Sequence, residues 1–162
     1  MSKRAVLAGG CFWGLEELFR DLPGVISTEA GYTGGVAENP TYEQHSGHAE
    51  ALEIEYDTDT ITYTQILDFF FQIHNPTTLN QQGNDKGTSY RSAIFYATPE
   101  EKAEAERMID IVNESGRWAD PVVTTLEPLT RFWPAEEYHQ DYLQKNPGGY
   151  TCHAIYFDSY IT

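Results

Sequence analysis

The sequence predicts an α+β protein, a two-layer sandwich with a mixed sheet, long loops and a flexible C-terminal tail. Three observations predict it. Strand-like and helix-like segments alternate along the chain, two strands follow one another with no helix between them, and the tail opens with Pro147-Gly148-Gly149. Strict strand–helix alternation would give a doubly wound parallel sheet, and an interrupted alternation favours the α+β arrangement.

Residues 3–8 read as a short buried strand that turns at Gly9-Gly10. Residues 11–19 carry Leu15, Leu18 and Phe19 at helical spacing, and Pro23-Gly24 ends that helix. A strand over 25–30 leads into a loop from Gly31 to Pro40, and residues 41–45 suit one helical turn. Residues 48–56 are the clearest strand. Leu52, Ile54 and Tyr56 alternate with Glu53 and Glu55, so the even positions face the core. Thr62 or Thr64 caps a helix through Ile66, Leu67, Phe70, Phe71 and Ile73, which stops at Asn75-Pro76. Residues 77–89 lack periodicity and read as a long polar loop. A strand over 90–97 precedes Thr98-Pro99-Glu100-Glu101, a helix start, with Gly116 as the stop. A fifth strand is expected over 122–127 and a helix from Pro134 to Leu143. The tail begins near Asn146 with Pro147-Gly148-Gly149.

The 162 residues fit one domain, residues 1–162, and 40% apolar content suffices for a core. No run approaches the ~20 apolar residues of a membrane span. The stretch Ala5-Val6-Leu7-Ala8 is too short for the ~7–15-residue core of a signal peptide, so a soluble, cytoplasmic monomer is expected. A net charge of −15 argues against nucleic acid and anionic lipid as partners. Cys11 and Cys152 are the two cysteines, with neither a CxxC motif nor zinc spacing, so a catalytic or redox role is favoured over a structural metal.

Cys11 follows a strand and two glycines and opens a helix. Amides at a helix start stabilise a thiolate, and bare glycines permit close approach of a substrate; a buried structural cysteine is the alternative. Phe12 and Trp13 form an apolar wall beside it, suited to a polarised sulfur or a methyl group, or else simply pack in the core. Glu50 shares its parity with Leu52 and Ile54. A carboxyl on that face has a raised pKa and can act as a general acid, unless it reaches water at the strand end. Tyr42, Asp85 and Tyr90 lie in or beside the two long loops, where they are donors or turn residues. His139 and His153 read as surface or hydrogen-bonded histidines. A cysteine hydrolase would need a histidine to activate Cys11, and none stands out; a non-catalytic peptide-binding or redox-sensing module remains a rival.

The run Gly10-Cys11-Phe12-Trp13-Gly14 resembles the signature of the methionine sulfoxide reductase A family. The likeness continues through Gly31-Tyr32-Thr33-Gly34-Gly35, Asn39-Pro40-Thr41-Tyr42, Gly47-His48-Ala49-Glu50, Gly83-Asn84-Asp85, Tyr90-Arg91-Ser92 and Ala135-Glu136 to Gln140. The resemblance implies a ferredoxin-like core and, as substrate, the S epimer of methionine sulfoxide, free or in proteins. It makes Cys11 the nucleophile, Glu50 the proton donor, and Phe12 and Trp13 the methyl-binding wall. Tyr42, Glu50 and Tyr90 would hold the sulfoxide oxygen, with Asp85 ordering the network. It implies recycling by a thioredoxin-like partner and no cofactor. Some relatives carry further cysteines; here Cys152 is the single candidate for the resolving thiol, in Gly149-Tyr150-Thr151-Cys152-His153.

Overall fold

The structure is a computed structural model that describes residues 1–149, 151 and 153–161. Its main sheet has six strands, with β7 (Thr125–Pro128) and β8 (Trp133–Pro134) at its two edges. Strand β1 (Ser2–Gly9) occupies the centre and pairs antiparallel with β3 (Ala49–Asp57) on one side and β6 (Ser92–Tyr96) on the other. Strand β2 (Val25–Thr33) pairs antiparallel with β3. With helix α1 (Phe12–Phe19) after β1 and α2 (Tyr63–Ile73) after β3, the succession β1-α1-β2-β3-α2-β6 and the order β6-β1-β3-β2 form the expected split βαβ, ferredoxin-like core.

Alternation along the strands divides their side chains between two faces. Ala5, Leu7, Leu52, Ile54 and Ile94 join Leu15 and Phe19 of α1 and Ile66, Leu67, Phe70, Phe71 and Ile73 of α2 in the main core. Fully burying each such side chain contributes roughly 1.5–3 kcal/mol. Helix α3 (Pro99–Glu114) adds Ala105, Met108 and Val112. The opposite face is thin: Val6, Ala8, Ala49, Ala51, Ala93 and Phe95 sit under Leu129 and Phe132. Of the two candidate caps, Thr62 forms a capping box with Gln65. Thr98 accepts from the Glu101 amide at 3.1 Å, and Gly116 follows in the left-handed region at φ 70°.

Four segments depart from the sequence reading because backbone pairing, local in the first two and long-range in the last two, overrides the pattern. Residues 41–45 form no helical turn; Thr41 and Gln44 exchange backbone hydrogen bonds of 2.9 and 3.1 Å. The long polar loop contains a two-stranded hairpin of β4 (Gln81–Gln82) and β5 (Asp85–Lys86) and a 3₁₀ turn over Thr88–Tyr90. The fifth predicted strand shortens to β7 (Thr125–Pro128), parallel to β6, because Val123 instead donates to the Pro76 carbonyl at 2.8 Å. The expected helix from Pro134 does not form. Trp133 and Pro134 make strand β8 on the edge of β2, and a 3₁₀ turn (Glu137–His139) follows. Asp141 stands at φ 55° before a short helix α4 (Tyr142–Lys145). The Gln140 side chain completes that edge by pairing with both the N–H and the carbonyl of Ala30 at 2.8 Å.

The tail carries no regular structure in its described residues, yet it is attached along its length. His153 bonds to the Gly9 carbonyl, Tyr156 N–H donates to Gln72, and Ser159 and Tyr160 both donate to Asp68.

Candidate functional site

The site forms where β1 ends and α1 begins. Cys11 is the N-cap of α1 and is 4% exposed. The glycines before it open space for protein rather than for a ligand. A Cβ on Gly9 would meet Phe70 and His74, and one on Gly10, at φ 94°, would meet Gln82. Gly14, one helical turn on, gives room to His153 and Thr151 of the tail.

Glu50 enters from the first turn of residues in β3, on the face that strand alternation predicts, and is fully buried. Its Oε1 accepts the Phe12 backbone N–H at 3.1 Å. This is the first amide of α1, so one of the amides at the helix start is turned to the carboxyl. Its Oε2 is buried without a partner among the described residues. Burial pushes the Glu50 carboxyl up to about 8; the bond from Phe12 opposes the shift and the charge of Asp85 adds to it. The carboxyl is therefore mostly protonated at neutral pH and has a proton to give.

Phe12 is fully buried, with its ring 5.6 Å from Tyr32, 6.4 Å from Tyr42 and 5.2 Å from His139. Trp13 is partly exposed. One face stacks on Tyr142 at 3.8 Å, and its indole N–H donates to His139 Nδ1 at 2.9 Å. Tyr42 stacks 6.2 Å from Trp13. Burial, then the charges of Glu50 and Cys11, push the Tyr42 hydroxyl up to about 12, and Tyr90 is raised by burial and by Glu50. Both phenols thus keep their protons and remain donors. Asp85 acts electrostatically on Glu50, Tyr42 and Tyr90 from β5. Cys11, Phe12, Trp13, Tyr42, Glu50, Asp85 and Tyr90 accordingly share one neighbourhood. Cys152 lies outside the described residues.

Several supporting residues escaped the sequence reading. Glu136 accepts the Tyr32 hydroxyl at 2.8 Å through Oε1 and the Tyr42 amide at 3.0 Å through Oε2, so one carboxylate holds both walls of the pocket. Burial pushes its pKa up, but these hydrogen bonds outweigh burial and leave it lowered. His139 is 1% exposed and orients Trp13, and His153 is 7% exposed and donates from Nε2 to the Gly9 carbonyl at 2.6 Å. Both are hydrogen-bonded histidines, one of the two readings that their sequence context offers. Glu16, also buried, accepts from the Asp141 amide and Thr28, tying the start of α4 and strand β2 to α1. Among the described residues no three His, Cys, Asp or Glu side chains gather into a metal-binding cluster.

A model of the peptide methionine sulfoxide reductase family matches residues 3–159. The chain belongs to this family. "Peptide methionine sulfoxide reductase MsrA 2" of Rhodopirellula baltica is 58% identical over 153 residues, covering 94% of this chain and 91% of that protein. MsrA of Streptomyces coelicolor is 59% identical over 152 residues, covering 94% and 88%. In structure the chain is similar to Mxr1 of Saccharomyces cerevisiae in reduced form, with TM-score 0.90, 36% identity and coverage of 96% and 93%. Mxr1 in complex with Trx2 is similar at TM-score 0.67 and 25% identity, covering 96% and 91%. For this member of the family, the buried Glu50 carboxyl beside the Cys11 turn is the feature with direct chemical consequence. No helix among the described residues is long and apolar enough to cross a membrane.

Proposed function

We propose that this chain reduces methionine S-sulfoxide, free or within proteins, to methionine, with Cys11 as nucleophile and Glu50 as general acid. The observation that carries the reading is the buried carboxyl of Glu50, raised to about 8, one residue's backbone away from Cys11. A sulfoxide oxygen leaves poorly unless it is protonated. Glu50 gives it a proton while the Cys11 thiolate attacks sulfur. The Cys11 sulfur bonds to the substrate sulfur as the S–O bond breaks. The protonated oxygen, at the level of hydroxide, then bonds to the Cys11 sulfur as the S–S bond breaks, so methionine departs with that electron pair and Cys11 is left as a sulfenic acid. The sulfoxide is reduced by two electrons and Cys11 is oxidised by two. Glu50 regains its proton from solvent. Tyr42 and Tyr90 donate to the oxygen, Asp85 orders that network, and Phe12 and Trp13 hold the methyl group.

Cys152 then attacks the sulfenic acid. A disulfide forms and water leaves, and a thioredoxin-type dithiol restores both thiols by exchange. Mxr1 in complex with Trx2 supports this partner. Residues 1–162 would do all of this as one catalytic domain and as a monomer. The cytoplasm suits the cycle because a reducing compartment keeps both cysteines as thiols.

The test is a coupled thioredoxin, thioredoxin reductase and NADPH assay with the separated epimers. The S epimer should be consumed and the R epimer spared, and Cys11→Ser should form no methionine with any reductant. Turnover by Cys11→Ser, or inertness toward the S epimer, would overturn the reading.

A further inference from the structure

Residues 37–39, 41, 43–48 and 88–89 line a surface cavity of about 670 Å³ that the reaction above does not use. Two imidazoles fix its walls. His48, 1% exposed, accepts the Gly35 N–H at Nδ1 (3.1 Å) and donates from Nε2 to the Ala37 carbonyl (2.7 Å). His45 donates from Nδ1 to the Thr41 carbonyl (2.8 Å), meets the Ser89 hydroxyl at Nε2 (2.7 Å) and stacks 4.9 Å from Tyr32. Carbonyls only accept, so these bonds also set both tautomers. His45 therefore joins the loop that carries Tyr42 to the turn that carries Tyr90.

The cavity starts where that pair of phenols ends. Thr41 and Glu43 line it and flank Tyr42, and Ser89 lines it and precedes Tyr90. Its rim is thus contiguous with the segments that present Tyr42 and Tyr90 to the neighbourhood of Cys11 and Glu50. Its charge has one sign. Glu38 and Glu43 are exposed, and no lysine or arginine lines the cavity. Arg91 reaches the carbonyls of Gly47 and Thr88, but its charge is paired with Glu127 at 3.0 Å.

The geometry points to this cavity as the docking groove for the polypeptide that flanks an oxidised methionine, with a preference for neighbouring lysine or arginine. The inference rests on the sulfoxide reductase reading and narrows its substrate class. A cationic side chain in the groove faces Glu38 and Glu43, and an anionic one is repelled by both.

The experiment compares kcat/KM for free methionine sulfoxide and three matched peptides in which the sulfoxide is flanked by lysine, serine or glutamate. The lysine peptide should lead and the glutamate peptide trail, by about two- to fivefold per exposed pair. The spread should collapse near 1 M salt, where the screening length is about 3 Å. Glu38→Lys, which leaves Glu43 opposed by a lysine, should flatten the ranking and leave free methionine sulfoxide unchanged. Equal constants for the three peptides, or a ranking that survives Glu38→Lys, would overturn the inference while free methionine sulfoxide is still reduced. Inertness toward free methionine sulfoxide and all three peptides would overturn the reading itself.

Discussion

The backbone N–H of Phe12 donates to Oε1 of Glu50 at 3.1 Å, across 38 residues of sequence. This bond ties the first turn of the Cys11 helix to the buried end of β3. It also fixes one carboxyl oxygen and leaves Oε2 as the atom that can deliver a proton.

Glu50→Gln should slow methionine release by ~10²–10⁴-fold, the usual contribution of a general acid. In the wild type, single-turnover release should fall as pH rises through about 8, and the variant should lose that fall. Stability should fall with rising pH as well. A folded pKa raised above the unfolded one contributes stability that is complete below the unfolded value, 4.5, and is lost as pH rises through about 8. The variant should therefore gain thermal stability relative to wild type across that window, with a constant difference above it. Rapid-quench kinetics and Tm against pH check both. A loss below about threefold in a folded variant would shift the proton donor to Tyr42 or Tyr90.

Glu136 should prove a positioning residue. It holds Tyr32 and the amide of Tyr42 without touching the reacting atoms. Glu136→Ala should cut kcat/KM by about tenfold, as loss of a charge-assisted bond of roughly 1.5–3 kcal/mol allows. Glu136→Gln, which keeps an accepting oxygen, should recover part of it. A purely structural role would lower Tm in both variants with no such recovery.

Glu50 and Glu136 show what the sequence could reveal. Strand alternation is a local signal: Leu52, Ile54 and Tyr56 declare the buried face, and Glu50 shares it. Glu136 depends on where β8 docks against β2, and its bonds span 104 and 94 residues. Nothing in Trp133-Pro134-Ala135-Glu136 signals an edge strand, and the proline instead reads as a helix start. The core elements were legible because Phe70, Phe71 and their neighbours repeat at helical spacing. The segments over 41–45 and 134–143 were not, because paired backbone and a clamping Gln140 decide their shape.

Cys152→Ser should leave the first chemical step intact. One methionine should be released per enzyme molecule, with Cys11 trapped as sulfenic acid, and thioredoxin-dependent cycling should stop because no disulfide forms. Small thiols should restore slow turnover by attacking the sulfenic acid. Quench counting with mass spectrometry of Cys11 reads this, and cycling with thioredoxin at the wild-type rate would make Cys152 a bystander.

The tail should matter through His153, the residue after Cys152. Its Nε2 donates to the Gly9 carbonyl at 2.6 Å, two residues before Cys11, and its ring fills the space that Gly14 leaves open. Burial lowers its pKa and so favours the neutral ring. Ser159 and Tyr160 hold the far end of the tail on Asp68, so losing His153 should free the middle without releasing the whole. His153→Ala should therefore leave single-turnover methionine release within about twofold of wild type. It should slow disulfide formation and thioredoxin-linked turnover by about tenfold, matching a lost buried bond of ~1–3 kcal/mol. Gly14→Ala, whose methyl would collide with His153 and Thr151, should reproduce the defect with the histidine still present. An equal loss in methionine release and in disulfide formation would mean that His153 supports the fold of the Cys11 turn rather than the approach of the resolving thiol.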